Sequence, residues 1–151
     1  MRHLEKDITI RRISGIQKDI AELKKISQNP FEKFRSSDVA FKLTQFHLHR
    51  ALEGIFHIAA HILSRIPGAH AVTYKEMAAQ LGEFGILDKN FIEKNLVPMA
   101  KYRNRLVHFY AEITESEMYD ILQKHLGDFD IFLSAIKKVM QEPKKFGLSI
   151  E

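Results

Sequence analysis

The sequence predicts an all-α protein, an antiparallel bundle of about five helices. Three observations carry that prediction. Seven Gly and four Pro in 151 residues leave little loop material. Apolar residues recur at helical rather than alternating intervals. Ser/Thr/Asp residues with a Glu three positions later stand where helices should begin.

The first helix is read over His3–Ser27, with Ile8, Ile13, Ile16, Ile20 and Leu23 turned to the core, and Asn29-Pro30 stops it. Ser36–Asp38 can cap a long second helix from about Asp38 to Ile66, which Pro67-Gly68 breaks. Thr73 and Glu76 fit a capping box for a short third helix ending near Gly82 or Gly85. Asp88 can cap a fourth segment, which Pro98 should kink or split. Thr114 and Glu117 form a second capping box, so the fourth segment should end near Tyr110 or Ala111. A last helix then runs to about Gln141, and the tail from about residue 142 is expected to fray. The 151 residues are read as one domain.

Composition excludes several classes. Without cysteine there are no disulfides and no thiolate zinc sites, which suits a cytoplasmic protein. No apolar run approaches the roughly eighteen residues of a membrane span, and the N-terminal stretch lacks a signal-peptide core. A net charge of +4 weakly favours an anionic partner. No Gly-rich phosphate loop is present, so no nucleotide cofactor is expected, and no Ser nucleophile has a recognisable setting.

The informative stretch is Lys101–Tyr110, KYRNRLVHFY. On a helix at about 100° per residue, Met99, Tyr102, Leu106, Phe109 and Ile113 form an apolar stripe. Arg103 and Tyr110 superimpose away from that stripe, and Asn104 and His108 share a flank at i and i+4. Arg103 and His108 sit about 140° apart, so they converge only through the arginine's length or across two copies of the helix. Histidine can move a proton near neutral pH. Arginine grips phosphate oxygens with a permanent charge. Together, without metal ligands, they suffice to cleave a phosphodiester whose own 2′-OH attacks, which means RNA and not DNA. An Arg and a His on a helix are also ordinary surface residues, and spacing alone does not separate the two readings.

A second constellation lies on the long helix. Glu53, His57 and His61 recur at i, i+4 and i+8, with Phe46 and Arg50 nearby and the apolar residues opposite. Two His and one carboxylate could hold a divalent metal, but the spacing is not His-Glu-x-x-His, and a polar stripe lining a cleft or facing an interface is preferred to a metal site. His3, His47, His49, His70 and His125 show no spacing to read and are taken as surface residues.

The Arg-Asn-x-x-x-His-x-Tyr pattern, on a helix that follows LGEFGILDKNFIEKNLVPMAKY, resembles the HEPN superfamily and its HepT-like branch. The resemblance spans about Phe41 to Leu122 and includes the long helix LHRALEGIFHIAAHILSRI. It implies an all-α homodimer that acts as a metal-independent ribonuclease toxin, paired with a MntA-like minimal nucleotidyltransferase antitoxin. By position it makes Arg103 and His108 the catalytic pair, Asn104 a supporting group, and Tyr110 the residue blocked by transfer of AMP. Glu and His are common in that branch at the positions of Glu53 and His61, whereas His57 stands where an acid is frequent. The alternative is a non-catalytic helical module that binds a nucleotide or the nucleotidyltransferase.

Overall fold

A computed structural model describes residues 2–108 and 112–151 of the chain. Among these residues the structure is helical apart from one pair of three-residue strands. Strand β1 (Arg2–Leu4) leads into α1 (Lys6–Ser27), the short α2 (Phe31–Arg35) and the long α3 (Asp38–Arg65). Helix α4 (Tyr74–Glu83) follows, and then α5 (Lys89–Phe91), a π-helical turn (Ile92–Leu96) and α6 (Val97–His108) run one into the next. Helices α7 (Glu115–Lys124) and α8 (Leu126–Gln141), a 3-10 turn (Pro143–Phe146) and β2 (Leu148–Ile150) complete the chain.

Helix α3 is the centre of the bundle. It touches α1, α4, α6 and α7, and it buries Leu48, Leu52, Ile55, Phe56, Ile58, Ile62 and Leu63 in one core cluster. Helix α1 runs antiparallel to it, since Asp19, Arg12 and Glu5 meet His47, His57 and His61 in that order. The two helices approach closely at Gly54, where a Cβ would lie 2.6 Å from the Ile16 side chain. The core face of α1 is Thr9, Ile13, Ile16, Ile20 and Leu23. Ile8, expected inside, is exposed instead. Thr9 takes the inward place because its hydroxyl donates to the Glu5 carbonyl 2.9 Å away, which satisfies the group on burial.

The helix starts obey local chemistry. Ser37 caps α3, Thr73 and Glu76 close a capping box on α4, and Asp88 and Thr114 cap α5 and α7. Pro98 stands in the first turn of α6, where the split reading of the fourth segment puts it. Its missing N–H and its ring conflict with the carbonyl four residues back, and the wider π turn just before α6 accommodates both.

Three more expectations are corrected here: the last helix, read as one run to about Gln141, is two, since α7 ends at Lys124 and α8 begins at Leu126. Helix α2 was not foreseen; it tucks Phe34 fully into the core, with Phe31 and Phe34 packed against Tyr119. The tail does not fray. Its last strand pairs in parallel with β1, Arg2 against Leu148 through Leu4 against Ile150, and both Leu4 and Leu148 are fully buried. Burial of two leucines and a backbone ladder outweigh the freedom of a terminus.

Candidate functional site

Glu53, in the middle of α3, is the hub of the site. Its carboxylate accepts a short hydrogen bond from Arg103 Nε on α6. His57 Nε2 lies 3.3 Å from one of its oxygens and His49 Nε2 lies 3.5 Å from the other. The Tyr74 hydroxyl donates to it from the first residue of α4, at 3.4 Å. Three helices therefore converge on one acid. Burial alone would raise the pKa of Glu53, but the hydrogen bond and charge of Arg103, with the charges of His57 and His49, outweigh it and hold the group below the usual carboxylate range.

Arg103 is braced on more than one side. Its guanidinium carbon sits 4.5 Å from the centre of the Tyr74 ring. That ring stacks on Phe56 with centroids 4.8 Å apart and planes 8° from parallel. Asn104 accepts from Arg103 Nη1 at 3.3 Å. These two hydrogen bonds use two of the five N–H donors of a guanidinium, so others can meet a phosphate. His108, exposed, is the last described residue of α6. Tyr110 lies outside the described residues. Arg105 is occupied differently. It pairs with Glu117 at 2.8 Å, which also accepts from the Tyr102 hydroxyl at 2.8 Å, and it donates to the Glu112 carbonyl. This cluster ties the end of α6 to the start of α7.

Of the three cleft-lining candidates, Glu53 and His57 gather at Arg103. His61 contacts another part of the chain: its Nε2 accepts the Glu5 backbone N–H at 3.4 Å. An acceptor at Nε2 is a neutral ring. Burial first, then the charges of Arg65 and Arg12, hold the His61 pKa below that of a free histidine against the opposing pull of Glu5. The native state therefore disfavours a proton that the unfolded chain accepts. The stability contributed by neutral His61 is complete above the ordinary histidine pKa and is lost as pH falls through the lowered one. Amide exchange at Glu5 is expected to quicken across that window, and His61→Gln, which accepts without titrating, should flatten the response. An unchanged exchange profile in the glutamine variant would refute this account.

Among the described residues no three His, Asp or Glu side chains form a metal-binding group. His47, taken from the sequence as a surface residue, is mostly buried and bonds through Nδ1 to the buried Asp19 at 2.8 Å. Tyr74 was missed altogether. Its only sequence signal is a place just after the Thr73 cap, and nothing local reports that this position faces Glu53 and Arg103, 21 residues back and 29 residues on.

The chain resembles proteins of known family and fold. The chain is 25% identical over 140 residues to the tRNA nuclease HepT of Aphanizomenon flos-aquae (strain 2012/KM1/D3), covering 93% of this chain and 95% of that one. Its fold matches the tri-AMPylated HEPN toxin of Shewanella oneidensis, solved in complex with the MNT antitoxin, at a TM-score of 0.80 and 24% identity, over 87% of this chain and 98% of that one. It matches YutE of Bacillus subtilis, a cytosolic protein of unknown function, at the same TM-score of 0.80 with 15% identity, over 95% of each. The model of the family described as "Ribonuclease HepT-like" matches residues 16–136, a span that takes in Glu53, Tyr74, Arg103 and His108. The chain belongs to the HepT-like ribonuclease family.

Proposed function

We propose that this protein is an endoribonuclease toxin that cuts RNA without a metal ion, and that a nucleotidyltransferase antitoxin silences it by placing AMP on Tyr110. The observation that carries this reading is the braced Arg103, held by Glu53, Tyr74 and Asn104 on the helix that ends its described part at His108. A fixed guanidinium suits a phosphate whose charge grows in the transition state, because no reorganisation is needed when the charge develops. The 2′-OH attacks the neighbouring phosphorus and the bond to the 5′-oxygen breaks, leaving a 2′,3′-cyclic phosphate and a 5′-OH; His108 takes the 2′-OH proton or protonates the departing 5′-oxygen, and water carries the other proton. Asn104 keeps the guanidinium oriented. The curated relative named as a tRNA nuclease supports RNA as the substrate class. The Shewanella toxin, AMPylated and bound to its antitoxin, supports the partner and the modification.

An AMP phosphate on Tyr110 would add an anion that competes with an RNA phosphate for Arg103. A homodimer would bring one subunit's Arg103 to the other's His108 and so remove the 140° separation. The row Val39, Leu43 and Phe46, exposed on α3 and continuing toward Glu53, supports such a contact.

The test is cleavage of a mixed tRNA pool in excess EDTA, with and without prior exposure to a nucleotidyltransferase and ATP, and mass spectrometry of Tyr110. Cleavage that survives EDTA and stops when Tyr110 gains AMP is the expected result. Cleavage abolished by EDTA would overturn the metal-free mechanism. Full activity from a protein that sediments as a monomer at micromolar concentration would overturn the shared site. Absence of cleavage from unmodified protein that still binds the nucleotidyltransferase would favour the non-catalytic module.

A further inference from the structure

We propose that Tyr74 is a positioning residue for Arg103: its ring, backed by Phe56, fixes the plane of the guanidinium, and its hydroxyl shares the same carboxylate. This inference rests on the nuclease reading for its activity arm and on geometry for the rest.

Arg103 has a long, flexible side chain with many rotamers; the bond from Nε to Glu53 fixes a direction, and the 3.3 Å bond from Nη1 to the exposed Asn104 holds the roll of the plane about it only loosely. A flat aromatic surface 4.5 Å from the guanidinium carbon supplies the firmer constraint. That surface is itself rigid. Phe56 is fully buried on α3 and lies nearly parallel beneath Tyr74. The position of Tyr74 is set by the capping box on the first turn of α4, in which Thr73 accepts from the Glu76 N–H and Glu76 accepts from the Thr73 N–H. The phenol keeps its proton, because burial and the neighbouring Glu53 charge both raise its pKa, so it stays a donor to Glu53. The order of support runs from core to site: Phe56, Tyr74, Arg103, and then the phosphate. A guanidinium displaced by about 1 Å loses much of its advantage in the transition state, on the order of a hundredfold in rate.

The experiment compares wild type, Tyr74→Phe and Tyr74→Leu in two readouts. The first is single-turnover RNA cleavage. Tyr74→Leu is expected to lower kcat by about 10- to 100-fold with KM changed by less than about threefold, because the loss falls on the transition state. Tyr74→Phe keeps the ring and gives up only the 3.4 Å bond, so it should recover activity to within about threefold of wild type. The second readout is the Arg103 Nε–Hε signal in NMR, expected to be dispersed and slow to exchange in wild type and Tyr74→Phe and to move to the free-arginine position in Tyr74→Leu. A Tyr74→Leu protein that keeps the dispersed signal would overturn the proposal, as would equal kcat losses in the two variants. The NMR readout needs no RNA and reports on the folded protein. A wild type that cleaves nothing would therefore refute the nuclease reading and still leave the role of Tyr74 decided.

Discussion

His108→Ala is expected to reduce RNA cleavage by about 10²- to 10⁴-fold, the range general acid–base catalysis supplies, while leaving the fold intact. His108 is exposed at the end of the described part of α6 and is not among the buried core residues, so under the proposed mechanism truncation removes the proton carrier without opening the core. Arg103→Ala should match it in loss of cleavage but not in stability. The Arg103 change leaves Glu53 partly buried without its main counter-charge, which raises the carboxyl's pKa and loosens the contact between α3 and α6. Measuring kcat and the thermal midpoint for both variants separates the two roles. A His108→Ala enzyme within tenfold of wild type would move the proton transfer elsewhere, first to His57 or His49 beside Glu53.

Phe56→Ala is expected to cost about 3–5 kcal/mol of stability, a large part of the roughly 5–15 kcal/mol that holds a domain of this size. Phe56 is fully buried in the centre of α3, and its ring carries Tyr74 on one face. Removing it opens a cavity in the core and withdraws the floor under the Arg103 clamp. Activity should therefore fall even at temperatures where the variant remains folded. Phe56→Leu keeps most of the volume and should cost far less, while still losing the flat stacking surface. Urea titration of both variants gives the check, and a loss below about 1.5 kcal/mol for the alanine would show that the ring does not carry the packing assigned to it.

What the sequence revealed and what it withheld divide along chain separation. Thr73 with Glu76, and Thr114, Ser37 and Asp88, act on amides two or three residues away, so their roles as caps are written in adjacent letters, whereas Glu117, expected to complete a box with Thr114, turns its carboxylate to Arg105 and Tyr102. Helical periodicity likewise named Ile13, Ile16, Ile20 and Leu23 as core from within one helix. The site is different. Glu53 and Arg103 are 50 residues apart, and His47 finds Asp19 across 28. No periodicity on one helix reports that a neighbouring helix presents a counter-charge. Arg103 and Asn104 were found by motif, His57 and Glu53 by their shared face, and Tyr74 by neither. Helix α2, at five residues, is too short to show a period. Each three-residue strand exists only because the other lies beside it.

That last pairing bears on how the molecule is made. A ribosome finishes β1 first and reaches β2 only after the helices between them have been synthesised, 146 residues later by the register of Leu4 with Ile150 and Arg2 with Leu148. At roughly 5–20 residues per second, that delay lasts on the order of ten to thirty seconds. Through that interval the nascent chain can assemble α1 on α3, yet Leu4 waits for the strand that covers it, and the Glu5 amide waits for β1 to be fastened before its bond to His61 is secure. Emergence of β2 is thus the step that seals the α1–α3 end of the bundle.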